Sequence, residues 1–209
     1  MLRKELTLEW KQKYALSGIL LYVCSTVFVV YLASSEMNAS VWNSFFWVIV
    51  IFAAVNAIAK SFIQESGSRQ LYYYQLVSPY AVVVSKIIYN TLVLWLLSGL
   101  AYLMFALFHP SPVEYGGKFL LAILLGGLGF SVTLTFVAAI AARASNGSTL
   151  TAILGFPILL PILVAIISIS RNALVLRMGS IQGSINMLVA IDLLLLAAAL
   201  ALFPYLWRD

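Results

Sequence analysis

Six apolar runs, each close to the length of a membrane-spanning helix, dominate this sequence. They cover residues 16–34, 41–60, 80–108, 117–142, 149–169 and 187–206. A helix needs about 20 mostly apolar residues to cross the hydrocarbon layer of a bilayer. In lipid, the backbone polar groups of such a run must be satisfied within the helix itself. The sequence therefore predicts an all-α integral membrane protein with six transmembrane helices in a single transmembrane domain, residues 1–209.

The composition excludes the common soluble classes. Hydrophobic residues make up 63% of the chain and charged residues 9%, whereas charged residues are about a quarter of an average soluble domain. No polar stretch approaches the roughly 50 residues that an independent domain needs. The net charge of +5 comes from basic residues at the ends of apolar runs. That distribution indicates membrane topology, and we expect no nucleic-acid partner.

The ends of the runs predict how the chain is oriented. Residues 1–15 place Leu2, Leu6, Trp10 and Tyr14 at steps of four, which is typical of an amphipathic interfacial helix. With six spans, both termini lie on one side, and nine Lys and Arg residues fall on that side against three on the other. The positive-inside rule therefore predicts cytoplasmic termini. The three on the far side are Lys118, Arg171 and Arg177.

The polar segment from Lys60 to Ser78 is predicted to contain a short cytoplasmic helix between the second and third spans. Glu65 and Arg69 have the i,i+4 spacing of a helical ion pair. Ser78 and Pro79 are typical of a helix start, because serine caps the first amides and proline gives up an amide that has no partner there. Two interpretations remain open: a membrane-surface anchor rich in tyrosine, or a docking element for a soluble partner.

Two of the apolar runs carry features that affect helix packing. Gly127, Ser131 and Thr135 form a small-residue stripe in the fourth run, which predicts close contact with another helix. Pro157 and Pro161 lie inside the fifth run. Each proline removes a backbone donor, so we expect a kink or a broken helix there, serving either as a packing accommodation or as a hinge.

Asp192 is the candidate polar site within the membrane, because an ionisable group inside a span is costly and often functional. The predicted span begins near residue 187, and we expect an amphipathic or re-entrant stretch over Ser168–Met187. Asp192 would then lie about one turn from the outer end of its span. Snorkelling, or pairing with Arg171 or Arg177, is the alternative to a function.

No catalytic or metal site is predicted in this chain. The sequence Gly116-Gly117-Lys118 lacks the remaining residues of a phosphate-binding loop, with Phe119 where Ser or Thr would bind magnesium. The single histidine, His109, precedes a proline at the end of the third run, where a capping or surface role is expected. Cys24 is the only cysteine. Metal sites require clustered ligands.

Taken together, these features resemble the membrane subunit of an ABC-2 type exporter. The segment FIQESGSRQLYYYQLVSPYAVVVSKIIYN and the double-proline run GFPILLPILVAI are similar to the haem exporter protein B family (CcmB) of cytochrome c maturation, over essentially the whole chain. The resemblance implies that the segment contacts an ATPase. The residues that carry this implied coupling role are Glu65, Gly67, Arg69, Leu71, Ser78, Pro79 and Lys86.

The resemblance also implies partners and a location. The implied partners are a cytoplasmic A subunit, which binds and uses ATP, and the haem-handling C, D and E components. The resemblance implies two membrane subunits per transporter, in the lipid of the bacterial inner membrane. Haem is implied as a possible substrate of the complex, and no cofactor is expected on this chain itself. The alternatives are an ABC-2 permease for lipid or polysaccharide, or a non-transporting membrane scaffold.

Overall fold

The computed structural model describes residues 13–34, 37–63, 79–109, 111–141, 147–174 and 181–208. The regular elements in these ranges are six α-helices: α1 Lys13–Ala33, α2 Ala39–Ile63, α3 Pro79–Phe108, α4 Gly116–Ala141, α5 Gly147–Leu174 and α6 Gln182–Arg208. Within the described ranges, five helices are long and apolar enough to cross a membrane, and a shorter apolar helix covers Ser17–Ala33. The predicted all-α integral membrane class is confirmed.

The outer surface of the helix bundle is apolar, as lipid requires. Leu107, Leu21 and Leu194 are among the most exposed side chains of the described residues. Leucine, isoleucine, valine and phenylalanine favour insertion into hydrocarbon by a few tenths of a kcal/mol each. Exposure of these residues therefore stabilises the protein in a bilayer, where the same surface in water would promote association.

Helix α4 lies at the centre of the bundle. It packs against α2, α3, α5 and α6, and 16 of its 26 residues are buried. The run Gly129–Thr135 is buried at every position, so this part of α4 is enclosed on all sides. Glycine, serine and threonine on α4 allow close approach of the neighbouring backbones, which is how helices associate in lipid.

Helices α5 and α6 are longer than the sequence patterns predicted. Residues 168–174 continue α5 and residues 182–187 open α6, so both ends of the stretch Ser168–Met187 are helical, and its amphipathic or re-entrant character stays a prediction. The polar side chains there are satisfied locally: Asn172 donates to the Ser168 carbonyl (2.9 Å), and the Ser184 hydroxyl donates to that of Ser168 (2.9 Å). Hydrogen bonding within and between helices therefore allows polar residues to extend both helices.

The two prolines do not break α5, so of the two expected outcomes the broken helix is wrong and the kink stays a prediction. Pro157 and Pro161 both lie inside Gly147–Leu174. The opposite side of the helix is held in the core by Leu159, Ile162 and Ile166, each fully buried. Packing on that side keeps the helix continuous past the missing donors. The hinge role of the prolines stays a prediction.

Several predictions fall outside the described residues. These are the interfacial helix, of which residues 1–12 are not described, and the short helix of the polar segment, of which residues 64–78 are not described. The described part of α3 begins at Pro79, and the predicted serine cap at Ser78 lies outside the described residues.

Candidate functional site

Asp192 lies deep inside the helix bundle. Helix α6 begins at Gln182, so ten residues, or about 15 Å at 1.5 Å per residue, separate its start from Asp192. The side chain is 5% exposed. Helix α6 starts earlier than hydropathy alone suggested, and the predicted position of Asp192 one turn from the outer end of the span stays a prediction.

A glycine on the central helix makes room for this carboxyl group. A Cβ atom at Gly129 would lie 2.6 Å from Asp192 Oδ1 and 3.3 Å from Ile162 Cγ2. Real Cβ atoms are not found at the shorter of these distances, so the glycine is required for the observed packing. Asp192 of α6 therefore lies directly against the backbone of α4, near the middle of that helix, with α5 beside the glycine.

Both oxygens of the Asp192 carboxyl group are buried and have no hydrogen-bond partner among the residues that the structure describes. Pairing with Arg171 does not occur, and Arg171 is exposed in the last turn of α5. Arg177 lies outside the described residues. On membrane-insertion scales, an aspartate at the centre of a helix costs about 2.5–3.5 kcal/mol. A hydroxyl one turn along α4, Thr133 Oγ1, is also buried without a partner.

The other polar residues on α4 are paired. Asn90 of α3 donates to Thr135 Oγ1 (2.8 Å), and the Ser131 hydroxyl donates to the Ile87 carbonyl (2.8 Å). Beside them, a Cβ atom at Gly127 would lie 2.6 Å from Trp95 Cδ1. The prediction that the small-residue stripe serves close helix packing is confirmed, and α3 is the helix it contacts.

The predicted coupling residues divide into two groups. Pro79 is the first residue of α3, and Lys86 lies on the same helix with 1% of its side chain exposed. Lys86 is therefore enclosed by the bundle and is not available as a surface contact. Its coupling role stays a prediction, as do the roles of the residues outside the described ranges, which are Glu65, Gly67, Arg69, Leu71 and Ser78.

His109 is also placed differently from expectation. The sequence favoured a capping or surface position, but the side chain is 6% exposed and its ring meets that of Tyr31 edge-on at 5.4 Å. Its Nε2 atom has no hydrogen-bond partner within the described ranges. Tyr31 also contacts Phe108, the residue before His109, with ring centroids 5.1 Å apart.

Among the residues that the structure describes, no group of three potential metal ligands comes together. Sequence reasoning missed Gly129 as the neighbour of the buried carboxyl group. No signal in the linear sequence pairs it with Asp192, because it belongs to a helix more than fifty residues away.

Comparison with known proteins identifies the family. No curated protein matches the chain. The profile of one family, described as CcmB protein, matches residues 1–206. This match and the bundle of apolar helices agree on a multi-pass membrane protein. The chain therefore belongs to the CcmB family, the membrane subunits of a haem-exporting ABC transporter in cytochrome c maturation.

Proposed function

We propose that this chain is the subunit that converts ATP hydrolysis by a cytoplasmic A subunit into movement within the membrane. The product of that movement is export of haem, or release of a haem-loaded chaperone, with the C, D and E components. The observation that carries the proposal is the family match over residues 1–206. The resemblance also implies two copies of this chain per transporter.

The placement of α2 and α3 supports a coupling role for the Lys60–Ser78 segment. Helix α2 ends at Ile63 and α3 begins at Pro79, so the segment joins two long helices across a short distance in sequence. Motion imposed on it passes into α2 and α3. Helix α3 is tied to the central helix by the Asn90–Thr135 and Ser131–Ile87 hydrogen bonds, which provide a continuous path into the core.

Replacing Gln64–Gln75 with a Gly/Ser linker of equal length tests this coupling. The linker keeps the chain length and removes any helix, so motion of the A subunit is absorbed before it reaches α3. We expect the six helices to insert, while co-purification of the A subunit and the yield of cytochrome c are lost. A Gly/Ser replacement of residues 175–180, in the connection between α5 and α6, is the matched control and retains both. Retention of both activities by the first variant contradicts the proposal.

The proposed location is the bacterial inner membrane with both termini in the cytoplasm, supported by the distribution of basic residues. Single cysteines at Ser35 and Ser145, in a Cys24→Ser background, report the orientation. An impermeant maleimide applied to intact cells is expected to label position 35 and spare position 145. The reverse pattern contradicts this orientation.

A further inference from the structure

We propose that Asp192 is a proton-binding site: it carries a bound proton while α6 is packed on α4, and it releases that proton to water when the two helices separate. This inference concerns the chain itself and does not rest on the proposed coupling to an ATPase. The observation that carries it is a carboxyl group that is 5% exposed, with both oxygens unpartnered.

An ionised carboxylate is unfavourable in this environment. Its charge would face the backbone of Gly129 at the middle of α4, beside Ile162 of α5, without a donor to replace the water it lost. Buried charges in proteins are paired, coordinate a metal ion or are neutralised. Neutralisation by a proton needs no additional ligand, whereas sodium or calcium ions require several oxygen atoms.

No basic group neutralises Asp192 in the described structure. Helix α6 packs against α3, α4 and α5, and none of the titratable side chains described on those helices hydrogen-bonds to either oxygen. Lys118 and Arg171 lie near the helix ends, and Lys86 is buried on α3. The tyrosines described on these three helices are Tyr80, Tyr89 and Tyr102.

The fit against Gly129 links proton binding to helix packing. Because both carboxyl oxygens are buried and Oδ1 lies against the backbone of α4, we expect water to reach them only if α6 moves away from α4. Separation of the helices exposes the group to water and favours ionisation, and protonation favours renewed contact. Proton binding and helix packing are therefore coupled equilibria, and each must shift the other by the same free energy.

Infrared spectroscopy of the full-length chain in lipid nanodiscs tests the site. A protonated carboxyl group gives a C=O stretching band that an ionised carboxylate lacks, and the band shifts in D₂O. Asp192 is the only acidic residue within the six apolar runs, so the other acidic residues contribute little protonated signal at pH 7. The others are Glu5, Glu9, Glu36, Glu65, Glu114 and Asp209.

We expect the wild-type chain to show this band at pH 7 and Asp192→Asn to lose it entirely. Absence of the band from the wild-type spectrum, with or without sodium ions, overturns the proposal whether or not the variant folds. A wild-type band that persists unchanged in a folded Asp192→Asn variant also overturns it, because the proton is then on another group.

Gly129→Ala tests the link to packing. The added methyl group displaces the carboxyl group from α4, and we expect a weaker protonated band at pH 7. Gly99→Ala is the matched control, since a Cβ atom at Gly99 meets nothing within 4 Å, and it is expected to retain the wild-type band. Equal bands in both variants overturn the link between proton release and helix separation.

Discussion

Helix α4 makes two tight contacts that differ in how their polar groups are satisfied. At the α3–α4 interface, Gly127 faces Trp95, and at the α4–α6 interface, Gly129 faces Asp192; an added Cβ atom would come within 2.6 Å of the neighbour in each case. Trp95 donates its indole N–H to the Leu124 carbonyl (3.1 Å), whereas Asp192 has no partner for either oxygen.

Close packing of two helices and hydrogen bonding of their buried polar groups are therefore separate properties of an interface. The α3–α4 interface has hydrogen bonds that would be lost if the helices moved apart, so it is suited to transmit motion as a unit. The α4–α6 interface gains polar contacts with water when it opens, because its carboxyl group is unsatisfied when closed. We therefore expect α6 to separate from α4 more readily than α3 does.

The largest effect is expected from overpacking the α3–α4 interface. Gly127→Val places a branched side chain where Trp95 already lies, and overpacking of a core costs about 1–3 kcal/mol of unfolding free energy. Unfolding of the purified chain in detergent measures the loss. Gly99→Val, on a helix position with open space around it, is the control. An equal loss in both variants would show that valine at a membrane helix position, and not this contact, is responsible.

A smaller effect is expected from removing one hydrogen bond of the same interface. Asn90→Ala leaves Thr135 without its donor, and hydrogen bonds between membrane helices contribute about 0.6 kcal/mol on average and up to about 1.7 kcal/mol. A double-mutant cycle with Thr135→Val isolates the pair. Strict additivity of the two single losses would contradict a stabilising Asn90–Thr135 contact.

The smallest effect on stability is expected from Asp192→Asn at the α4–α6 interface, with Asp192→Leu as its more disruptive counterpart. Asp192→Asn keeps the shape and neutrality of a protonated carboxyl group, so we expect an unchanged melting temperature at pH 7. Asp192→Leu is bulkier against Gly129 and should cost about 1–3 kcal/mol. Cytochrome c yield in a complementation assay should follow the same order, with more activity in the Asn variant. Equal yields from Asn and Leu variants that both insert would contradict this reading of the contact.

The sequence predicted those features that depend on short stretches of chain. The close packing of Gly127, Ser131 and Thr135 follows from a local rule and is confirmed. The ends of α5 and α6 were predicted less well, because Asn172 and Ser184 are satisfied by hydrogen bonds that hydropathy does not represent. His109 was expected at the surface because the aromatic rings around it come from other helices.

By itself, the sequence determined that this protein is a bundle of membrane helices, since runs of apolar residues this long have no other stable form in a bilayer. It also placed a single carboxyl group in the last apolar run. Only the tertiary structure decided that this group faces Gly129. Gly127 and Gly129 are two residues apart and therefore about 200° apart around α4, so the neighbour of each depends on how the helices are arranged around that helix.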